Sequence, residues 1–394
     1  MLFPQIVFMI KYKTFISCAI YALLIASGCT APPVNDDEDL SHIAWDSLEN
    51  KDLLSETHVA VDFVKLETND KCILNDIAKI EVDDSLLFIE DYMQRLYLFS
   101  KSGRFLYKIG TKGGAENEYI TLFDFILNRE KKQVYIVDST KEKLLVYDYK
   151  GRYIENRSIG NSLLSNSTMV AFADENHLVT INFNSPEERT NFSVIDIPSK
   201  TITNYVEYIS IGNLRSSDSD GRTTYHLSNL LMCAQLSDTI YTYRDEAIKP
   251  LYVFQNGMRH ATKDDINKGQ YDFGVQASTD LLAKGISTGI TDLHATDKII
   301  YFMCRTKNEL YRIFYDSGKN KGYKFGMTKN MDAAHNTLWN CLKTSSHDAF
   351  ICALPVNEFF FKEKVRCSYP KLDSILNLSK EEDNPILAFF DVVE

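Results

Sequence analysis

Short apolar runs separated by polar, glycine-containing turns fill most of this chain, and one stretch of that pattern occurs twice in tandem. Residues 86–110 read LLFIEDYMQRLYLFSKSGRFLYKIG, and residues 134–160 read VYIVDSTKEKLLVYDYKGRYIENRSIG. Aligned, Phe88 falls on Tyr135, Asp91 on Asp138, Phe99 on Tyr147, Gly103 on Gly151, Arg104 on Arg152, Phe105 on Tyr153 and Gly110 on Gly160. The offset is 47 residues at Asp91/Asp138 and 48 at Gly103/Gly151. Runs of this length, rich in β-branched and aromatic residues, predict strands. A period of this size predicts the blades of a β-propeller. In each copy the aspartate ends a strand, where its side chain can bond the turn backbone. The glycine of SKSGR or DYKGR can take positive φ without a Cβ clash. One such antiparallel meander cannot cover both of its faces, so stacked copies must supply the core.

Weaker copies follow. HLVTINFN (177–184) precedes NFSVIDIPSKTITNYV (191–206), with Lys200 in the turn, and DTIYTYRDEAIKPLYVF (238–254) keeps strand, turn and strand. DKIIYFMCRTKNELYRIFYDSGKNKGYKFG (297–326) places Gly318 or Gly322 in a turn, and HDAFICALPVNEFFFK (347–362) and ILAFFDVV (386–393) supply the last strands. With Phe88, Tyr135, Val179, Ile240, Tyr301 and Phe350 as anchors, six blades are expected. VAVDFVKLE (59–67) is expected to close the ring by pairing beside ILAFFDVV, because an unpaired edge exposes backbone donors and acceptors.

The start of the chain has a different pattern. Lys11 and Lys13 precede the apolar run FISCAIYALLIASG, which ends at Cys29. A basic start, a short apolar stretch and small residues before a cysteine describe a secretory signal, too short for a confident spanning helix. Met9 is an alternative start, since MIKYK opens a more ordinary signal. IASGC resembles the bacterial lipobox, with Ala26 where that motif more often has Leu, and implies lipid attachment at Cys29. An ordinary secretion signal with an incidental Cys29 is the other reading. TAPPVNDDEDLSH follows, with Pro32, Pro33 and the acidic run Asp36, Asp37, Glu38, Asp39, and reads as a solvated tether. The acidic run resembles the export signal of surface lipoproteins in the Bacteroidota, although it starts late; a plain solubilising linker fits equally. The expected organisation is a signal over 1–28, a tether over 29–55 and the propeller over 56–394.

Composition fits a globular body, with 44% hydrophobic and 25% charged residues among 394. Net charge is −11 and no basic stripe occurs, which argues against nucleic acid as a partner. Beyond Cys18 and Cys29, the six cysteines Cys72, Cys233, Cys304, Cys341, Cys352 and Cys367 form no CxxC pair and have no His at zinc spacing. Cys304 and Cys352 lie in apolar runs and read as small core residues. Free, buried thiols are favoured, with pairing among Cys341, Cys352 and Cys367 as the alternative.

Chemistry is sparse. GxSxG, a Walker loop, HExxH and an EF-hand loop are absent. The eight histidines (42, 58, 177, 226, 260, 294, 335 and 347) are scattered; His226, in TTYHLSN, is the one placed to face the channel, and His335 and His347 flank Trp339 without ligand spacing. Acid pairs such as Asp83/Asp84 and Asp264/Asp265 read as solvated turns. No catalytic residue, metal or cofactor is expected.

Four stretches together resemble a known family, the six-bladed β-propeller lipoproteins of the Bacteroidota with a TolB-like propeller. They are VDFVKLETND (61–70), IAKIEVDDSLLFIEDYMQRLYLFSKSGRFLYKIG (77–110), DTIYTYRDEAIKPLYVF (238–254) and EEDNPILAFFDV (381–392) with Asp383, Asn384 and Pro385. The family usually follows its first blade with GxGPGEY. Here GTKGGAENEY (110–119) keeps Gly114, Glu118 and Tyr119, but has Ala115, Glu116 and Asn117 where that loop has Gly, Pro and Gly. Ala115 would strain a backbone needing positive φ, so an altered loop shape is expected. Gly114, Glu118 and Tyr119 are candidate ligand-facing residues, and a structural inter-blade connector is the bland reading.

The resemblance implies an all-β, six-bladed propeller anchored by lipid at Cys29 in the cell envelope, at the outer membrane. As function, a monomeric, non-enzymatic binding or interaction module is expected, with a carbohydrate, peptide or envelope protein as partner. The alternative is a propeller hydrolase or lyase with a metal or carboxylate site on the channel axis.

Overall fold

The structure, a computed structural model, describes residues 40–51, 58–159, 167–182, 190–207, 223–225, 230–234, 236–269, 274–327, 334–360 and 362–393. The signal, Cys29 and the acidic run 36–39 lie outside these residues.

Three N-terminal strands come first: β1 (Ser41–Ala44), β2 (Leu48–Asn50) and β3 (His58–Lys65). Blade 1 is β4 (Ile77–Asp83), β5 (Leu86–Asp91), β6 (Leu96–Ser100) and β7 (Phe105–Ile109). Blade 2 is β8 (Leu122–Asn128), β9 (Gln133–Asp138), β10 (Lys143–Asp148) and β11 (Tyr153–Ser158). Blade 3 is β12 (Ser167–Phe172), β13 (His177–Asn182), β14 (Thr190–Asp196) and β15 (Thr201–Glu207). Blade 4 is β16 (Thr223–Tyr225), β17 (Leu230–Cys233), β18 (Thr239–Arg244) and β19 (Ala247–Gln255). Helices α1 (Lys263–Gly269) and α2 (Gly274–Ala283) lead to blade 5, which is β20 (Ile290–Ala295), β21 (Ile299–Arg305), β22 (Leu310–Asp316) and β23 (Lys321–Gly326). After α3 (Ala334–Trp339), blade 6 is β24 (Leu342–Ser345), β25 (Phe350–Leu354), β26 (Ile386–Val393) and the returning β3, with α4 (Val356–Phe360), α5 (Glu363–Ser368) and α6 (Pro370–Asn377) between β25 and β26. The fold is a six-bladed β-propeller of antiparallel four-stranded blades.

Closure follows the expected route, since β3 pairs antiparallel with β26 from Lys65↔Ile386 to His58↔Val393. The predicted glycine turns also hold, with φ of +86° at Gly103 and +76° at Gly151. In blade 5 the positive φ falls on Asn320 rather than on a glycine; Gly318 is in the turn and Gly322 in β23. Anchor Ile240 lies on β18, the third strand of its blade, whereas the other five anchors lie on second strands. The short β17 had no sequence copy long enough to mark it.

The blades stack face to face, so second strands such as β9 (QVYIVD) and β21 (IIYFMCR) are largely apolar and buried on both faces instead of alternating. In β5, Leu87 and Ile89 enter the seam with blade 6, and Phe88 enters the seam with blade 2. Burying such side chains contributes about 1.5–3 kcal/mol each. Cys72, Cys233, Cys304 and Cys352 are buried, Cys341 is half-buried and Cys367 exposed, all as free thiols.

The expected tether boundary at 55/56 is corrected at one end. β1 adds in parallel to β19, and β2 adds in parallel to β23. Ile43 and Leu48 are buried in the seam between blades 4 and 5, and Trp45 packs edge-on against Tyr311 at 4.9 Å. Lys324 Nζ donates to Trp45 O (2.8 Å) and lies 4.4 Å from the centre of its ring. Segment 41–50 is thus a strap on the outer edges of two blades, held by apolar residues that the preceding acids and prolines obscure in the sequence.

Candidate channel mouth

The first strand of each blade lies innermost, as contacts among β4, β8, β12, β16, β20 and β24 around the axis require. In such a meander, the turn between second and third strands and the connector to the next blade fall at the same end of the ring. All six described α-helices belong to that end: α1 and α2 to the connector between blades 4 and 5, α3 to that between blades 5 and 6, and α4–α6 to the middle turn of blade 6. The opposite end carries short hairpins such as 84–85, 101–104 and 317–320.

At the connector end, five inner strands bulge near their first residues. The breaks in register lie between Ile77 and Lys79, Leu122 and Asp124, Ser167 and Met169, Thr291 and His294, and Leu342 and Thr344. A bulge bends its strand and re-aims the side chains beside it, commonly at barrel rims and functional sites. Asp292, in the bulge of β20, takes φ of +53°. Its carboxylate meets His294 Nε2 at 3.2 Å and accepts a bond from Tyr301 Oη at 3.4 Å.

Lys79 and Asp124 follow the first two bulges and meet across the blade 1–2 seam. Lys79 Nζ donates to Asp124 Oδ1 (2.7 Å) and Phe125 O (2.8 Å), and Glu81 Oε1 is 3.7 Å away. Burial works against the ammonium, but Asp124 and Glu81 outweigh it and hold the Lys79 pKa above its ordinary value. Asp124 Oδ2 accepts the Val170 N–H at 3.0 Å, which ties β12 to the same centre. Arg129 donates to Glu81 Oε2 (2.8 Å) and Val82 O (3.2 Å). Beside this network stands Glu90, paired in register with Lys79, 8% exposed and with no hydrogen bond to its carboxyl among the described residues. Burial, reinforced by Asp124 and opposed by Lys79, pushes its carboxyl up to about 8. Sequence reading missed Glu90. The available signal was the repeat itself, because the aligned residue of blade 2 is Val137.

Above the network, apolar side chains reach solvent. Ile73, Tyr92, Met93 and Ile120, four of the seven large exposed hydrophobics among the described residues, come from the connectors and turn tip that border blade 1 at this end. Tyr92 is 62% exposed and is the only exposed aromatic among the described residues. Lys343 Nζ, from the bulge of β24, lies 5.9 Å from the centre of its ring, which sets Tyr92 at the rim of the mouth.

The connector 110–121 lies alongside. Ala115 N–H donates to Glu118 Oε2 (2.9 Å), and Gly113 N–H to Tyr119 O (2.8 Å). Lys141 Nζ reaches Ala115 O (2.6 Å) and Glu118 O (2.5 Å), and Tyr147 Oη donates to Asn117 O (2.7 Å). Tyr119 is buried and donates to Gln94 O (2.9 Å), while a Cβ at Gly114 would meet open space. Positive φ occurs in this connector at Gly110 alone, so the strain expected at Ala115 does not arise. Of the predicted residues, Glu118 and Tyr119 therefore brace the connector and Gly114 faces open space. Cys29 and His226 lie outside the described residues, as does the side chain of His335.

A second polar group lies where blade 4 meets its exit connector. Buried Asp238 accepts Ser287 Oγ at Oδ1 (2.7 Å) and meets His260 Nδ1 at Oδ2 (2.7 Å). Burial raises the Asp238 pKa, with Ser287 and His260 acting against that rise. Serine and imidazole share the carboxylate instead of bonding each other, unlike a nucleophile–base pair. Among the described residues no set of three or more His, Cys, Asp or Glu is placed to hold a metal ion, and no helix is long and apolar enough to cross a membrane.

Ring, strap and closure together define a single propeller with one elaborated mouth. Residues 43–391 match the family described as a domain of unknown function, DUF4934, and the chain belongs to it. It is similar to the crystal structure of an exported-protein candidate from Bacteroides fragilis NCTC 9343, with 22% identity and a TM-score of 0.69, covering 90% of this chain and 100% of that one. It is also similar to a DUF4221-family member from Bacteroides vulgatus ATCC 8482, with 10% identity and a TM-score of 0.50, covering 84% and 98%. At these identities the likeness is one of fold. No curated protein matches the chain.

Proposed function

We propose that this protein is a non-enzymatic binding module of the cell envelope, a TolB-like propeller lipoprotein held at the outer membrane by lipid on Cys29. Its binding face is the connector-bearing mouth. The observation that carries this reading is the concentration at one end of five inner-strand bulges, the exposed patch and the long connectors. A scaffold that elaborates one rim and keeps the other to tight hairpins suits capture at that rim. Tyr92, with Lys343 beside it, offers a stacking surface and a donor suited to a sugar ring. Connector 110–121, with Gly114 open, borders the same surface. The cations of the axial network are each paired with a carboxylate, which suits structure better than acid–base turnover.

A thermal-shift screen of neutral oligosaccharides and short peptides tests the mouth. A ligand should raise the melting temperature of the wild type and leave Tyr92→Ala and Lys343→Ala unmoved. Equal stabilisation of all three proteins would place binding elsewhere. For the anchor, cells are labelled with a fatty-acid analogue; Cys29→Ser should lose the label, and equal labelling would overturn the lipoprotein reading.

A further inference from the structure

Glu90 occupies a seam that is already balanced in charge. Lys79 is bound to Asp124 and Phe125 O, and Arg129 to Glu81 and Val82 O. The charged and titratable groups that act on Glu90 are Lys79 from β4, Asp124 from β8, the buried Tyr119 phenol from the connector and its own neighbour Asp91. An ionised Glu90 would add a negative charge near Asp124 and Asp91, and its nearest cation is already in use. The least costly response draws Lys79 away from Asp124 and Phe125 O. Asp124 also holds Val170, so that movement loosens three inner strands at the mouth together.

We propose that Glu90 is a proton-operated latch on the seam between blades 1 and 2: the neutral carboxyl lets the inner strands and connector 110–121 pack tightly, and loss of its proton to solvent base releases them. The latch belongs to the fold and needs no ligand. Its sign is set by the raised pKa. Tight packing is complete below the unfolded-chain value for Glu and is lost as pH rises through about 8.

Hydrogen exchange followed by mass spectrometry on the folded protein tests it. After correction for the intrinsic pH dependence of exchange, peptides covering 77–83 and 110–121 should exchange roughly ten-fold faster at about pH 9.5 than at about pH 6 in the wild type. Glu90→Gln, which keeps the shape without the proton, should show no such rise. A flat wild type, or an equal rise in the variant, overturns the latch. The wild type alone gives a second readout should the variant fail to fold. A carboxylic-acid C=O infrared band should persist at neutral pH and disappear with a midpoint near 8. No such band at neutral pH would overturn the proposal.

Discussion

Blades 1 and 2 are copies of one unit, yet they present different chemistry to the blades that follow them. Their backbone devices agree. Asp91 Oδ1 accepts the N–H groups of Met93 (3.1 Å) and Arg95 (3.0 Å), as Asp138 Oδ1 accepts those of Thr140 and Lys141 (both 3.0 Å). The second oxygen of each reaches the incoming connector, Asn75 N–H for Asp91 (3.3 Å) and Ile120 N–H for Asp138 (2.7 Å). Their seam faces and tips diverge. Glu90 stands against Val137, and the apolar tip Tyr92-Met93-Gln94 against Ser139-Thr140-Lys141-Glu142, which holds one residue more. Residues that set the chain's course recur, while residues that meet a neighbouring blade are free to take on separate work.

The harshest way to break this comparison is to move the charge. Val137 is fully buried in an apolar seam with Ile126, Leu144 and Leu178. Val137→Glu should therefore cost roughly 3–5 kcal/mol, measured by urea unfolding at neutral pH. A near-neutral result would mean that either seam tolerates a carboxyl and that Glu90 is not specially housed.

The glycine turns sharpen the comparison at the next level. Both have positive φ, but a Cβ on Gly103 would lie 2.1 Å from Lys65 O, whereas on Gly151 the nearest atom is Lys108 O at 3.3 Å. Gly103 presses on the closing strand and Gly151 on the neighbouring blade. Gly103→Ala should cost about 3 kcal/mol and Gly151→Ala about 1 kcal/mol, the latter being the backbone term alone. Equal losses would show that β3 yields easily and that closure is soft.

The smallest difference concerns the aspartates. Asp91→Asn also loses the ion pair with Arg95, which Asp138 lacks, but Arg95 is partly exposed. Each change should cost on the order of 1–2 kcal/mol, with Asp91→Asn the larger by a few tenths. A loss confined to one of the two would end the claim that they do the same job.

Much of this was legible before the structure. Asp91, Asp138, Gly103 and Gly151 act through local backbone geometry, and local requirements leave marks at fixed spacing. Closure by β3 was legible because an open sheet edge is costly wherever it occurs. The strap was not, since Ile43, Trp45 and Leu48 find their cover on strands more than 200 residues later. Nor were the bulges, which come from how six inner strands crowd one axis rather than from any residue type. Glu90 was visible only as one unlike pair in an otherwise good alignment.

The strap also has a consequence in time. Its partners lie ever later along the chain: Ser41 pairs with Tyr252, Leu48 with Gly322 and Lys65 with Ile386. As the chain emerges, these early strands wait for partners made much later, β1 for β19, β2 for β23 and β3 for β26, and the ring cannot close until β26 exists. Contacts of such separation make for slow folding. Until β1 and β2 dock, the outer strands of blades 4 and 5 stay open to pairing with other chains. The strap ends that exposure stepwise, one blade at a time, whereas closure of the ring by β26 waits on the synthesis of about 140 residues after Tyr252.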